Sequence, residues 1–214
     1  KKCIKYFDYI ICVDDCCPEN SGNYIKRKFK KIKKVKVIFN NKNLGVGGAV
    51  KVGYKYILNK NFKYIIKIDG DGQMDPKEYY NLVEPIKSKR ASYTKGNRFF
   101  YKDYFKKSPK VRFFGNLALT IVSKITTGYW RISDPLNGYT CIDKKILKKI
   151  NFSKIRNDFF FETSMLFLLN KMRVNVEDVR VKIKYSGEIS NFKIYNELIR
   201  FIYLHIIYLI MRFF

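Results

Sequence analysis

This sequence predicts an α/β protein, a mostly parallel sheet flanked by helices, and three observations carry the prediction. Apolar runs of strand length, residues 9–13 and 65–68, each end abruptly in an acidic turn, Asp14-Asp15 and Asp69-Gly70-Asp71. Between them, residues 24–34 place Ile25, Phe29 and Ile32 at helical spacing, and residues 48–58 do the same through Ala49, Val52, Tyr56 and Ile57. With residues 35–39 as a middle strand, the order strand, helix, strand, helix, strand implies right-handed parallel crossovers and chemistry at the strand C-termini.

Residues 113–125 and 158–169 are further helix candidates, and residues 174–183 alternate like a strand. The tail, residues 198–214, is mostly Ile, Leu, Phe and Tyr, interrupted by Arg200, His205 and Arg212. A bilayer span needs about 20 apolar residues, so an interfacial helix with arginines at the headgroups and a snorkelling His205 fits better than a membrane crossing. A helix packed on the domain is the alternative. No linker or repeat divides the chain, so residues 1–192 read as one domain and residues 193–214 as a C-terminal apolar or amphipathic helix.

Composition narrows the function. The chain has 214 residues, 47% of them hydrophobic and 17% aromatic, which excludes a disordered protein. Its net charge of +26 points to an anionic partner, nucleic acid or an anionic membrane surface, although a Lys-, Asn- and Ile-rich composition also follows from codon bias. A single-stranded nucleic-acid module needs aromatics exposed beside its cations. Here they fall mostly inside apolar runs, so no specific nucleic acid is expected. Cys3, Cys12, Cys16, Cys17 and Cys141 form no zinc spacing and read as reduced thiols of a cytosolic compartment.

The most informative stretch is residues 65–76, where a strand runs out into Asp69, Asp71 and Gln73. Two hard carboxylate ligands on one turn suit Mg²⁺ or Mn²⁺, and such a cation neutralises a leaving diphosphate. The competing reading is a solvated loop in which Asp75 caps the helix after Pro76. Two further pieces favour the diphosphate. Asp14 and Asp15 at a strand end suit a base or ribose, and Asn43-Leu-Gly45-Val-Gly-Gly48-Ala49 leads into a helix whose free N–H groups suit an anion, though glycines there also serve packing.

In that order, these motifs resemble the family 2 glycosyltransferases of the GT-A fold, in the branch of dolichyl-phosphate mannosyltransferase and polyprenyl-phosphate glycosyltransferases. Gly96-Asn97-Arg98, Arg112-Phe-Phe-Gly-Asn116, Asp134-Pro-Leu-Asn-Gly138, Phe160-Phe161-Glu162 and Lys184-Tyr-Ser-Gly187 extend the resemblance over residues 9–192. It implies a metal-dependent inverting transferase that moves a sugar from a nucleotide-diphosphate sugar to a polyprenyl or dolichyl phosphate or a glycan precursor, peripheral at the cytoplasmic face of a membrane. Asp69, Asp71 and Gln73 would hold the cation. Asp14, Asp15, Asn43, Gly45, Gly48, Asp69, Arg98 and Arg112 would contact the donor, and Arg112 and Lys184 an acceptor phosphate. Asp134 and Glu162 would be the catalytic carboxylates, although an anionic acceptor needs no base. The first βα unit of the family has no counterpart here, so a nucleotide-contacting turn is expected to be missing and strand edges to be exposed. An inactive scaffold of the same fold is the remaining rival, and turnover of a nucleotide sugar excludes it.

Overall fold

The computed structural model describes residues 1–100, 110–182 and 194–213. In chain order the elements are α1 (Lys2–Tyr6), β1 (Ile10–Asp14), α2 (Ser21–Lys28), β2 (Val35–Phe39), α3 (Val46–Leu58), β3 (Tyr64–Lys67), a 3₁₀ turn (Pro76–Glu78), α4 (Tyr79–Lys87), β4 (Tyr93–Asn97), α5 (Lys110–Thr127), β5 (Thr140–Asp143), α6 (Lys144–Leu147), a second 3₁₀ turn (Phe152–Lys154), α7 (Phe161–Lys171), β6 (Val176–Arg180) and α8 (Ile194–Phe213).

β1 and β2 pair in parallel, with Ile10 opposite Val35 and Asp14 opposite Phe39. The other strands form a sheet in the order β3-β5-β4-β6, in which β4 and β6 are parallel and β5 is antiparallel to both neighbours. Sequence periodicity passes over β5 because Thr140, Cys141 and Ile142 are buried on both faces and show no alternation. Ile142 packs into a core with Tyr54 and Ile57 of α3 and Met165 and Leu166 of α7. Cys141 points the other way, into a second core with Leu82 and Ile86 of α4 and Val179. The four-stranded sheet is thus a layer with helices on both faces.

Two predicted elements shift. α2 starts at Ser21 and ends at Lys28, where the sequence pattern continues to residue 34. Four lysines crowd the five residues 30–34, and like charges at helical spacing oppose continuation of the helix. The tail helix α8 is apolar on two faces. Phe201, Leu204 and Tyr208 pack on Phe160, just before α7, and Phe167 of α7 with Leu119 of α5, while Ile199, Ile202, Tyr203, Ile206 and Ile210 stay exposed. Among the described residues, no helix is long and apolar enough to cross a membrane.

Between β1 and β3 lies a cavity of about 600 Å³, lined by Tyr9, Ile11 and Val13 on one side and Tyr64 and Ile66 on the other, and reaching Asp69 and Gly70. Ile10 N–H donates to Lys34 and Asp14 C=O accepts from Asn40 on the β2 side. By the alternation of a strand, the backbone groups of Ile11 and Val13 therefore face the cavity.

Candidate active site

β3 delivers Asp69 to the surface two residues past its end. The Asp69 side chain is about one-third exposed (35%) and Asp71 is exposed. Asp71 Oδ1 accepts the Gln73 N–H at 3.0 Å, which folds the turn back on itself, and Gly72 sits at φ +79°. A side chain at Gly70 or Gly72 would meet nothing within 4 Å, so the loop is open on the outside. Beneath it, buried Met74 places its sulfur 3.5 Å from the Asp69 N–H. Asp75 caps the following 3₁₀ turn through the Lys77 N–H, as the competing reading expects, while Asp69 and Asp71 remain at the loop surface.

Under Asp69 is a buried lattice of charge. Lys67 Nζ donates to Asp69 Oδ1 at 2.8 Å and to the Gly138 carbonyl at 3.1 Å, and lies 3.0 Å from Glu162 Oε1. That last contact is an ion pair off the hydrogen-bond direction, since Oε1 accepts no hydrogen bond. Lys95 Nζ holds the other oxygen of Glu162 at 2.6 Å and donates to the Asn137 carbonyl at 2.7 Å. Burial pushes the Glu162 carboxyl up, and Lys95 and Lys67 pull it further down, so it stays a carboxylate. Burial likewise opposes the charge on Lys67, and Glu162 with Asp69 more than offset it. A Cβ at Gly138 would overlap both the Asp69 carboxylate and the Lys67 ammonium, so glycine is what allows the pair to form.

Two residues predicted to act separately come together as a pair. Arg98 grips Asp134 at two points, Nε to Oδ2 at 2.6 Å and Nη2 to Oδ1 at 2.7 Å, and its N–H donates to the same carboxylate at 3.1 Å. Asp134 is 1% exposed. Beside it, Asp178 accepts from the Ser133 N–H at 2.6 Å and Asn97 at 2.7 Å; burial pushes its carboxyl up to about 6. Asp134 and Glu162, expected to be catalytic, are therefore buried and held by cations, which suits positioning better than proton transfer.

The glycine-rich approach to α3 shows the packing role that the sequence left open for its glycines. Gly45 donates its N–H to Asn43 Oδ1 at 2.9 Å, and Gly48 donates to the Asn157 carbonyl at 3.0 Å. Cβ atoms at Gly45, Gly47 and Gly48 would strike Asn157, Arg156 with Phe161, and Leu44. This helix end is packed against the 156–158 strap. Asp14 is also occupied, accepting from Cys17 at 2.8 Å and Gly22 at 2.6 Å, so it shapes the turn into α2. Asp15 accepts from Asn40 at 2.7 Å and Leu44 at 2.9 Å, tying β1 to the β2–α3 loop.

The tail residues differ from expectation as well. Arg200 pairs with Asp158 at 2.8 Å and Arg212 donates to the Ile125 carbonyl, so both arginines anchor α8 to the domain. His205 is buried and does not snorkel: its Nδ1 meets Thr126 Oγ1 at 2.9 Å, and burial pulls its pKa down to about 4. Arg112 lies on α5, its side chain outside the described residues, and Lys184 lies outside them altogether. Periodicity missed Lys67 and Lys95. Their signal is a lysine at an inward strand position, as the burial pattern of β3 shows.

Hard oxygens at Asp69, Asp71 and Gln73 suit Mg²⁺ or Mn²⁺, which take one or two carboxylates and leave other positions to phosphate and water. No three His, Cys, Asp or Glu side chains converge on a metal position among the described residues. A strand exit bearing such a pair on an α/β sheet is compatible with binding a metal–diphosphate complex. The chain belongs to Glycosyl transferase family 2, whose sequence model matches residues 4–151, and it is a glycosyltransferase of the GT-A fold. It is 27% identical over 192 residues to the UDP-N-acetylglucosamine–dolichyl-phosphate N-acetylglucosaminyltransferase of Methanococcus voltae, covering 84% of this chain and 76% of that protein. It is 21% identical over 173 residues to the undecaprenyl-phosphate mannosyltransferase of Micrococcus luteus, covering 80% and 70%. Among solved structures, glucosyl-3-phosphoglycerate synthase from Mycobacterium tuberculosis, in complex with Mn²⁺, UDP and glucosyl-3-phosphoglycerate, superposes with a TM-score of 0.65 at 13% identity, covering 96% of this chain and 68% of that one.

Proposed function

We propose that this chain transfers a sugar, with inversion, from a nucleoside-diphosphate sugar to a polyprenyl phosphate at the cytoplasmic surface of a membrane. The observation that carries the reading is the open Asp69–Gln73 loop seated on a buried charge lattice, in a family member resembling two polyprenyl-phosphate sugar transferases. Asp69, Asp71 and Gln73 would hold Mg²⁺ or Mn²⁺, which supplies charge neutralisation for the leaving diphosphate. Asp15 and Asn43 would contact the nucleoside, and Arg112 and Lys184 the acceptor phosphate. The sugar's anomeric C–O bond to the diphosphate breaks as an acceptor phosphate oxygen bonds the same carbon. That oxygen is already an anion. The engagement of Asp134 by Arg98 and of Glu162 by two lysines supports a reaction without a general base.

The membrane part is supported by a row of exposed apolar side chains on α8, with Leu117, Ile121 and Ile125 exposed on α5, in a chain of charge +26. Replacing Ile202 and Ile206 by Glu leaves the buried face intact. The double variant is expected to stay in the supernatant when anionic vesicles are sedimented, and unchanged pelleting would sink the membrane reading. The activity test offers UDP-N-acetylglucosamine with Mn²⁺ to a polyprenyl phosphate and to a water-soluble sugar phosphate. Product on the lipid alone is expected, whereas product on the soluble acceptor alone would overturn the acceptor.

A further inference from the structure

Lys67 is a lysine that the proposed chemistry does not use, and its surroundings assign it a task. Its stem lies in a strand between two cores and its side chain is 7% exposed. Its ammonium bridges the carboxylates of Asp69 and Glu162 and donates to the Gly138 carbonyl. Nothing in β3 requires a cation here. An apolar side chain of the same length would fill the space, and buried ion pairs generally add little stability over such a replacement. What only a cation does is place a fixed positive charge against Asp69. Lys95 already compensates one oxygen of Glu162, so Lys67, Lys95, Glu162 and Asp69 form a lattice of two positive and two negative groups.

We propose that Lys67 is the built-in counter-ion of Asp69, a positioning residue that makes cation binding at this loop depend on the donor diphosphate. The proposal rests on the reading of Asp69 and Asp71 as the metal-holding pair. A divalent cation arriving alone meets a carboxylate whose charge is already balanced from 2.8 Å away. A cation arriving with a diphosphate brings its own anionic oxygens, and the loop contributes orientation more than charge. The loop would then select a metal–nucleotide complex over the free metal. Gly138 is part of the device, because a side chain there would part Lys67 from Asp69.

Two variants test this on the full chain, Lys67→Met to remove the charge and Lys67→Gln to remove it while keeping donors for Asp69 and Gly138. Binding of Mn²⁺ alone is followed by loss of the free-ion EPR signal, UDP and GDP binding by calorimetry with Mn²⁺ and with chelator, and folding by far-UV circular dichroism and thermal melts. A cation site relieved of an adjacent like charge is expected to bind Mn²⁺ alone roughly tenfold tighter in either folded variant than in the parent. With the diphosphate bound the loop supplies orientation more than charge, so Mn²⁺ affinity there is expected to stay as in the parent, and by reciprocity of linkage the gain in UDP affinity from Mn²⁺ then shrinks by the same factor. Unchanged or weaker Mn²⁺ binding in a folded variant overturns the proposal. So does a parent chain whose affinity for UDP is the same with and without Mn²⁺. If neither UDP nor GDP binds the parent even at saturating Mn²⁺, the donor-site reading itself falls. UDP binding to the parent with unaltered variants removes only the role of Lys67.

Discussion

Two glycine-bearing stretches follow strands in the first half of the chain, residues 45–48 at the start of α3 and residues 69–72 after β3, and they differ in what occupies the space the glycines leave. At Gly45, Gly47 and Gly48 a Cβ would overlap Asn157, Arg156, Phe161 or Leu44, so the protein itself fills the room. At Gly70 and Gly72 nothing lies within 4 Å. Both turns look alike on paper as phosphate cradles. A missing side chain only creates room, and the neighbours decide whether backbone or ligand takes it. The same divide separates the ionisable groups: Asp71 is exposed, whereas Glu162 and His205 are closed in.

The largest effect is expected at the open turn. Asp71→Ala should weaken Mn²⁺-dependent UDP binding by about a hundredfold or more without lowering the melting temperature, because it removes one of two carboxylates offered to the cation. Calorimetry and a thermal melt on the same sample check both halves, and equal UDP affinity would break the comparison at its functional end. At the packed turn the reverse is predicted. Gly47→Ala should cost about 2–3 kcal/mol of stability by overpacking against Arg156 and Phe161, measured by urea unfolding.

A closed environment also leaves a mark in pH dependence. Burial lowers the pKa of His205 from 6.5 to about 4, so the unfolded chain takes up the proton first as pH falls. The stability tied to neutral His205 is therefore complete above about pH 6.5 and lost progressively down to about pH 4. Between pH 7 and pH 5 that amounts to about 2 kcal/mol, and His205→Met should flatten this part of the profile. A parent and variant with parallel pH profiles would show that α8 does not enclose the ring. The smallest effect is expected at Gly70→Ala, within about 0.5 kcal/mol of the parent, because the added methyl enters open space.

Much of the fold was legible because its signals are local. Asp69-Gly-Asp71-Gly-Gln73 stands where an apolar run stops, and the helical spacing of α3, α5, α7 and α8 survives folding within a few residues. β5 was not legible, since four residues without alternation give no period to read. Of the candidate site, the carboxylates at the strand exit were legible and the residues beneath them were not. Lys67 and Lys95 look like ordinary members of a chain with 44 Lys and Arg, and only the fold brings both to Glu162 across 95 and 67 positions. Arg98 and Asp134, 36 positions apart, were each visible, but their mutual grip was not. The glycine stretch at 45–48 misled because its partner, the 156–158 strap, lies more than a hundred residues away.

The central claim is that the Asp69–Asp71 strand exit holds a cation and a nucleoside diphosphate together. Calorimetric titration of the purified chain with UDP and with GDP, each in Mn²⁺ and in chelator, tests it most directly. The account predicts saturable binding of one of the two in Mn²⁺ that chelator removes. Binding of equal strength in chelator, or no binding of either nucleotide in either buffer, would contradict it.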